Sequence, residues 1–319
     1  MKSAILFIVF NRPDTTAKVF EAIRDAKPPR LYIAADGPRL SRLDESEKCK
    51  DVRKIVSNID WPCDVKTLLR DKNLGCKLGV SSGIDWFFQN EKEGIILEDD
   101  VVPHPDFFIF CDSMLLKYRN DERVMMVSGT NYNSSPDLQW PYFFSECYSI
   151  WGWATWRRAW SKYDVDMKAW DSAEAKKNIA YKFQYGYIWK HFKNTFDSLR
   201  KDYIDTWDIQ WVFACIYNHG LAVVPRVNLI ANIGVDGTHS SSVTDSHYLE
   251  VESLYTTNFN DSETIPVVVY ADYDNKLHKQ KSLPAIRQRN FISLLNSLRI
   301  YYLLRFIYRL LKRQRKISK

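Results

Sequence analysis

The sequence predicts an α/β fold in which a mostly parallel, twisted sheet is flanked by helices. Short apolar runs alternate with longer amphipathic runs over the first 130 residues, as expected for strands and helices of such a sheet. A polar or charged group follows each of the first four apolar runs. The chain has 319 residues, of which 45% are hydrophobic and 26% charged, a composition typical of a globular protein that buries a substantial core.

Each of these runs has a predicted element. The predicted strands are Ala4–Phe10, Leu31–Ala35, Val65–Leu69, Gly94–Leu97 and Val124–Val127, with later pieces at Ala222–Val224 and Leu229–Ile230. Predicted helices begin at Pro13 and cover about 44–58, Leu78–Phe88 and Asp106–Tyr118. Beyond Asn131 the pattern becomes irregular and aromatic, and the Trp151–Trp160 segment is either a hydrophobic cap or a platform for a ligand.

The polar groups after the first four strands predict a ligand site. Arg12 follows the first strand, Asp36 the second, Arg70 the third, and Glu98-Asp99-Asp100 the fourth. Because the carboxyl ends of parallel strands meet at one edge of an open sheet, and ligands bind beyond that edge, we expect these side chains to lie together.

The acidic triplet predicts a cation site. Three carboxylates beside a buried strand repel one another unless a positive group is bound, and carboxylate oxygens suit Mg²⁺ or Mn²⁺. The alternative is a solvated acidic loop that caps the next helix. A second acidic pair, Asp164-Val165-Asp166, follows no buried strand and is interpreted as a surface loop.

Such a site is suited to sugar transfer from a nucleotide diphosphate, which requires a cation for the leaving group and a base for the acceptor hydroxyl. The predicted base is Asp208, with Asp205 as the alternative. Both acids could instead mark the start of a helix, where acidic side chains are favourable.

Several segments, in order, carry a family resemblance. They read I-L-F-I-V-F-N-R, A-A-D-G, I-I-L-E-D-D-V-V-P-H-P-D-F-F, S-G-T-N and T-W-D-I-Q-W, between about Ile5 and Ser241. On these segments the chain resembles nucleotide-sugar transferases of the glycosyltransferase A fold, and most closely N-acetylglucosaminyltransferase I and its bacterial relatives. The first segment departs from that enzyme, which has an acid before the arginine.

The resemblance implies a role for each matching residue. It implies Asp100 as the direct metal ligand and Asp208 as the base of an inverting reaction. Its implied donor contacts are Arg12 and Asp36 to the nucleotide, Glu98 and Asp99 to the donor sugar and ribose, and Lys77 and His239 near the diphosphate.

The chain is predicted to consist of two halves of one domain followed by a tail. Residues 1–130 form a nucleotide-sugar-binding half, residues 131–285 an acceptor-binding and catalytic half of the same domain, and residues 286–319 a basic tail. The expected reaction builds a surface glycan such as lipopolysaccharide or capsule on a glycan or lipid-linked acceptor. A catalytically silent glycan-binding protein is one alternative. A sugar nucleotidyltransferase is another, although the glycine-rich phosphate loop of that class is missing after the first strand.

The basic tail predicts contact with an anionic membrane surface. Eight of the 45 basic residues lie between Arg299 and Lys319, which leaves 37 basic against 39 acidic residues in the remainder. A near-neutral body disfavours nucleic-acid binding, while a basic amphipathic helix at the C-terminus suits a membrane interface; the alternative is a helix packed on the body. Six widely spaced cysteines indicate a reducing compartment, so the expected location is cytoplasmic, at the inner face of the cell membrane.

Overall fold

The fold is built on one sheet of eight strands, and two further strands form a small second sheet. A computed structural model describes residues 1–42, 44–135, 137–183, 186–234, 250–254 and 265–280. The strands run β1 Ala4–Val9, β2 Arg30–Ala35, β3 Asp64–Leu69, β4 Glu93–Glu98, β5 Val101–Pro103, β6 Val124–Ser128, β7 Tyr142–Ser145, β8 Trp153–Trp156, β9 Leu221–Pro225 and β10 Ile230–Asn232.

Eight α-helices join these strands within the described residues, together with a short 3₁₀ helix at Lys168–Asp171 and a further helical segment over residues 271–280. The helices are α1 Pro13–Ala26, α2 Glu45–Val56, α3 Gly75–Asn90, α4 Pro105–Lys117, α5 Arg157–Trp160, α6 Ala173–Tyr181, α7 Gly186–Leu199 and α8 Asp208–Tyr217.

The sheet has the order β3-β2-β1-β4-β8-β6-β9-β7. The first four strands are parallel, and β8 lies antiparallel between β4 and β6. Strand β9 runs parallel to β6, and β7 closes the sheet as an antiparallel edge strand. The predicted fold class, a mostly parallel sheet flanked by helices, is therefore confirmed.

Strand β1 shows why the sequence folds in this way. All six residues of β1 are buried, because helices cover both faces of the sheet. Ile5, Phe7 and Val9 belong to one core cluster and Ala4, Leu6 and Ile8 to the other, as the two-residue period of a strand requires. Helices α1, α2 and α4 supply the first cluster, and α3, α5 and α8 supply the second.

The tryptophan-rich segment belongs to the interior. Trp153 and Trp156 lie in β8 and are 0% and 1% exposed, and Trp160 is 4% exposed. The rings of Trp153 and Trp211 lie 5.5 Å apart, which joins β8 to α8. Because these three tryptophans are buried, they belong to the hydrophobic interior and do not form a platform for a ligand.

A small second sheet adjoins the carboxyl edge of β4. Strand β10 pairs antiparallel with β5, so that Asn232 lies opposite Val101. The amide of Ile233 donates to the carbonyl oxygen of Asp100 at 2.8 Å. This pairing carries the end of β10 to the acidic triplet.

No helix among the described residues is long and apolar enough to cross a membrane. The predicted basic tail, residues 286–319, lies outside the described residues.

Candidate active site

The carboxyl edge of the parallel strands brings Arg12 together with the acidic triplet. Arg12 lies in the short connection from β1 to α1, and its guanidinium forms ion pairs with Asp99 at 2.5 Å and with Asp100 at 2.9 Å. The amide of Phe10 donates to Asp99 at 3.3 Å. The end of β1 is thereby fastened to the end of β4.

The acids carry more negative charge than Arg12 balances. Burial raises the pKa of Glu98 well above its usual value, and the neighbouring Asp100, Asp99 and Asp208 raise it further. Burial likewise raises the pKa of Asp99 to about 6, although Arg12 opposes this shift. In turn, Asp99 and Asp100 raise the pKa of Arg12 against the effect of burial. Such a cluster favours the binding of a further positive charge.

Asp208 is the first residue of helix α8. It is close enough to Glu98 to raise that residue's pKa, and it accepts a hydrogen bond from the hydroxyl of Thr206. Cys76, at the start of α3, completes this group: burial raises its pKa to about 12, and Glu98, Asp208 and Asp205 add to the shift. The two acids implied as metal ligand and base, Asp100 and Asp208, therefore both neighbour Glu98.

Asp205 has a different position from Asp208. Its two carboxylate oxygens accept the amides of Cys76 at 3.1 Å and Lys77 at 2.9 Å, so that it caps the first turn of α3. Gly75 precedes these amides with φ of 79°, and a Cβ there would lie 2.8 Å from an Asp205 oxygen. Both carboxylate oxygens of Asp205 are therefore engaged in hydrogen bonds to the backbone of α3.

Asp36 fastens the connection between β3 and α3. One carboxylate oxygen accepts the amide of Gly37 at 3.0 Å, the other accepts the Asn73 side chain at 3.0 Å, and both accept the amide of Leu74, at 3.1 and 3.0 Å. Burial raises the pKa of Asp36, while these hydrogen bonds and Arg70 lower it. The predicted contact of Asp36 with a nucleobase stays a prediction.

Lys77 forms an ion pair outside the acidic triplet. Its Nζ pairs with the exposed Asp202 at 3.1 Å. His239 lies outside the described residues.

The rival pair Asp164 and Asp166 forms a local turn, in which Asp164 accepts the amides of Asp166 at 3.0 Å and Lys168 at 2.8 Å.

Asp100 provides a carboxylate suited to a divalent cation. Within the described part of the chain, no group of three or more His, Cys, Asp or Glu side chains is arranged to hold a metal ion. Asp100 is 19% exposed, and carboxylate oxygens are the ligands that Mg²⁺ and Mn²⁺ prefer. Such ions commonly bind through one or two carboxylates and complete their coordination with phosphate oxygens and water, and the donor set at Asp100 fits that mode.

Two features of the site were not predicted from the sequence. Gly234 packs on Asp100 so closely that a Cβ would overlap the carboxylate. The double role of the 205–208 segment, with one acid on α3 and the other beside Glu98, was also missed. The glycine at the end of β10 was the one available signal, because glycine in a polar loop often marks a close approach.

The chain was compared with protein-family models, curated proteins and solved structures. No family model matches the sequence, and no curated protein matches it. A solved structure of HddC from Yersinia pseudotuberculosis is 8% identical with a TM-score of 0.28, over 39% of this chain and 56% of that chain. The chain thus matches only about half the length of HddC.

Two further solved structures are matched over more of their length. The 4-diphosphocytidyl-2C-methyl-D-erythritol synthase of Anaerococcus prevotii is 10% identical with a TM-score of 0.30, over 54% of this chain and 78% of that one. UTP-bound UGPase from Acinetobacter baumannii is 10% identical with a TM-score of 0.32, over 70% of this chain and 86% of that one. None of the three is named as a glycosyltransferase, and the resemblance to N-acetylglucosaminyltransferase I stays a prediction.

Proposed function

We propose that the chain is a metal-dependent glycosyltransferase, which moves a sugar from a nucleotide-diphosphate-sugar to an acceptor hydroxyl in the synthesis of a surface glycan, with inversion. The observation that supports this function is the position of Asp100 at the carboxyl edge of the parallel strands, paired with Arg12 at 2.9 Å, with Asp208 near enough for its charge to raise the pKa of Glu98. A cation site and a separate base are the two parts that the reaction requires.

Asp100 would hold the cation, Mn²⁺ or Mg²⁺, together with oxygens of the donor diphosphate. When bound, the ion neutralises the negative charge that develops on the diphosphate as it leaves. Arg12 holds Asp99 and Asp100 in place through its two ion pairs. Glu98 and Asp99 would accept hydrogen bonds from hydroxyl groups of the donor sugar and ribose.

Asp208 would take the proton of the acceptor hydroxyl. Thr206 is its one hydrogen-bonding partner in the part of the chain that the structure describes, which leaves its second carboxylate oxygen for an acceptor. Asp205 is less suited to this role, because it caps α3 with both oxygens.

A sugar nucleotidyltransferase is the second candidate, and the names of the similar solved structures favour it over a glycosyltransferase. The chain itself offers little room for the phosphate loop of that class, since only Phe10, Asn11 and Arg12 separate β1 from α1.

One assay separates the candidates. The full chain is incubated with a panel of nucleotide sugars in Mn²⁺ and in EDTA, and separately with nucleoside triphosphates and sugar 1-phosphates. Metal-dependent release of nucleoside diphosphate from a nucleotide sugar is the expected result. Release of pyrophosphate from a triphosphate would identify the nucleotidyltransferase instead. If neither product is released, the remaining candidate is a silent glycan-binding protein.

The tail would bring the enzyme to a lipid-linked acceptor. Its basic residues would bind the anionic inner face of the membrane, each contributing about 1 kcal/mol near such a surface. Removal of residues after Asn290 should abolish cosedimentation with vesicles of anionic lipid and leave turnover of a water-soluble acceptor unchanged. Undiminished cosedimentation of the shortened chain would contradict the membrane role.

A further inference from the structure

We propose a second ligand site, in which a groove beside the active site binds an oligosaccharide and so selects the acceptor. The groove, of about 560 Å³, lies between the C-terminal half of α7 and the loop that follows it, over residues 194–204. This volume is within the range of ordinary ligand sites. The inference rests on the proposed function, because it assigns the groove to the acceptor of that reaction.

The lining of the groove has the chemistry that a sugar chain requires. Asn194 presents an amide from α7, and the hydroxyl groups of Thr195 and Ser198, which donate to helix carbonyl oxygens at 3.0 and 2.8 Å, keep lone pairs that can accept hydrogen bonds. Tyr203, which is 76% exposed, also lines the groove. An exposed aromatic face beside neutral hydrogen-bonding groups suits a pyranose, which has apolar C–H faces and hydroxyl groups at its rim.

The charges of the groove favour a neutral ligand. Asp197 is its acid, and this carboxylate already binds Lys193 at 2.7 Å and the indole of Trp170 at 3.0 Å. Lys201 is its basic residue. One base does not supply the clustered positive charge by which proteins bind a polyphosphate or nucleic acid.

The groove is held in a fixed relation to the active site. The amides of Asp202 and Tyr203 donate to Leu199 and Ser198 at 2.9 and 3.2 Å, which fixes the loop on the end of α7. Asp202 also pairs with Lys77 on α3. A ligand in this groove would therefore meet a preorganised surface.

The groove also ends close to the base. Its last lining residue is Ile204, and Asp208 follows four residues later, at most about 14 Å away along an extended chain. Between the two, Asp205 caps α3. A sugar chain of a few units would be long enough to span this distance to the carboxylate that would accept the proton.

The test uses the full chain and a printed array of neutral oligosaccharides of two to six sugar units. Tyr203→Ala should weaken binding of the best oligosaccharide about tenfold or more, and Tyr203→Phe, which keeps the ring face, should retain it. Tyr181→Ala is the matched control: Tyr181 is 77% exposed, on α6 and outside the groove, and its loss should change nothing.

Two outcomes would overturn the groove proposal: no oligosaccharide bound by the unaltered chain, or equal binding by Tyr203→Ala and Tyr181→Ala. Nucleoside diphosphate release without acceptor is measured in parallel and should be the same in all variants. Oligosaccharide binding that depends on Tyr203, without nucleoside diphosphate release even when that oligosaccharide is supplied as acceptor together with the donor, would refute the transferase and keep the groove as the site of a glycan-binding protein.

Discussion

Single residues decide the chemistry of the site, and residues close in sequence can have different contacts and roles there. Asp205 and Asp208 are three residues apart in one segment, yet Asp205 binds the backbone of α3 and Asp208 lies beside Glu98. The sequence could name both as candidate bases but not separate them, because the choice depends on α3, which is distant in the chain. Arg12 is the contrasting case: its position after β1 was sufficient to predict its place among the acids.

The two aspartates give a direct test of the proposed base. Asp208→Asn should preserve donor binding and reduce transfer by at least about a hundredfold, because the amide cannot accept the proton of the acceptor. Asp205→Asn should retain much of the transfer activity and instead lower the free energy of unfolding by about 1 kcal/mol, the usual contribution of a helix cap. Equal transfer rates in the Asp208 variant and the unaltered chain would refute its role.

Gly234 gives a test of the Asp100 position. A Cβ at this residue would overlap the Asp100 carboxylate, so Gly234→Ala should shift that side chain and weaken metal-dependent donor binding by about tenfold or more. Gly186→Ala is a suitable control, because a Cβ there meets nothing within 4 Å. Titration calorimetry with donor and Mn²⁺ measures both. Unchanged affinity in Gly234→Ala would show that Asp100 does not contribute to the donor site.

At the scale of elements, the sequence predicts the first half of the sheet better than the second. Strands β1 to β4 and their helices alternate in a regular pattern that depends on local periodicity, and their bounds agree with prediction to within a few residues. Strands β7 and β8 were not predicted. Each has four residues, is rich in aromatic side chains and is fully buried, so that no alternation of polar and apolar residues marks it.

The position of β8 could not be read from local sequence. It lies antiparallel between β4 and β6, although β6 precedes it in the chain. Its place depends on packing of Trp153 and Trp156 into the two core clusters, which only the assembled sheet defines. The same assembly places β10 beside β5 and so brings Gly234 to Asp100.

The contact between β7 and the 271–280 helix predicts a pH dependence of stability. Asp274 on that helix accepts hydrogen bonds from Ser145 and from the amide of Glu146, and burial raises its pKa to about 6, with Glu146 adding to the shift. A raised pKa means that the folded state binds this proton more tightly than the unfolded state does. This contribution to stability is present below about pH 4 and is lost as the pH rises through about 6.

Asp274→Asn should remove that dependence. Relative to the variant, the unaltered chain should lose up to about 3 kcal/mol of unfolding free energy between pH 4 and pH 7. Urea unfolding at several pH values measures the difference. If the two free energies run parallel over that range, Asp274 does not titrate as its burial indicates.

At the scale of the whole molecule, the candidate active site takes its residues from both predicted halves of the chain. The eight-stranded sheet is continuous across them, with β1 to β4 and β6 from residues 1–130 and β7 to β9 from the remainder. Arg12 and Asp100 belong to the first half, while Asp208 and Gly234 belong to the second. Because one core joins both, a ligand that bridges these residues should stabilise the chain as a unit.

This coupling predicts a thermal shift that requires two ligands together. The correct nucleotide sugar with Mn²⁺, each far above its dissociation constant, should raise the free energy of unfolding by about 3 kcal/mol and the melting temperature by about 4 °C. Either ligand alone should give a much smaller shift, since the diphosphate completes the coordination of the ion. In Asp100→Ala the shift with both ligands should fall to that of the nucleotide sugar alone. A full shift in EDTA, or one that Asp100→Ala retains, would show that donor binding needs neither the ion nor this carboxylate.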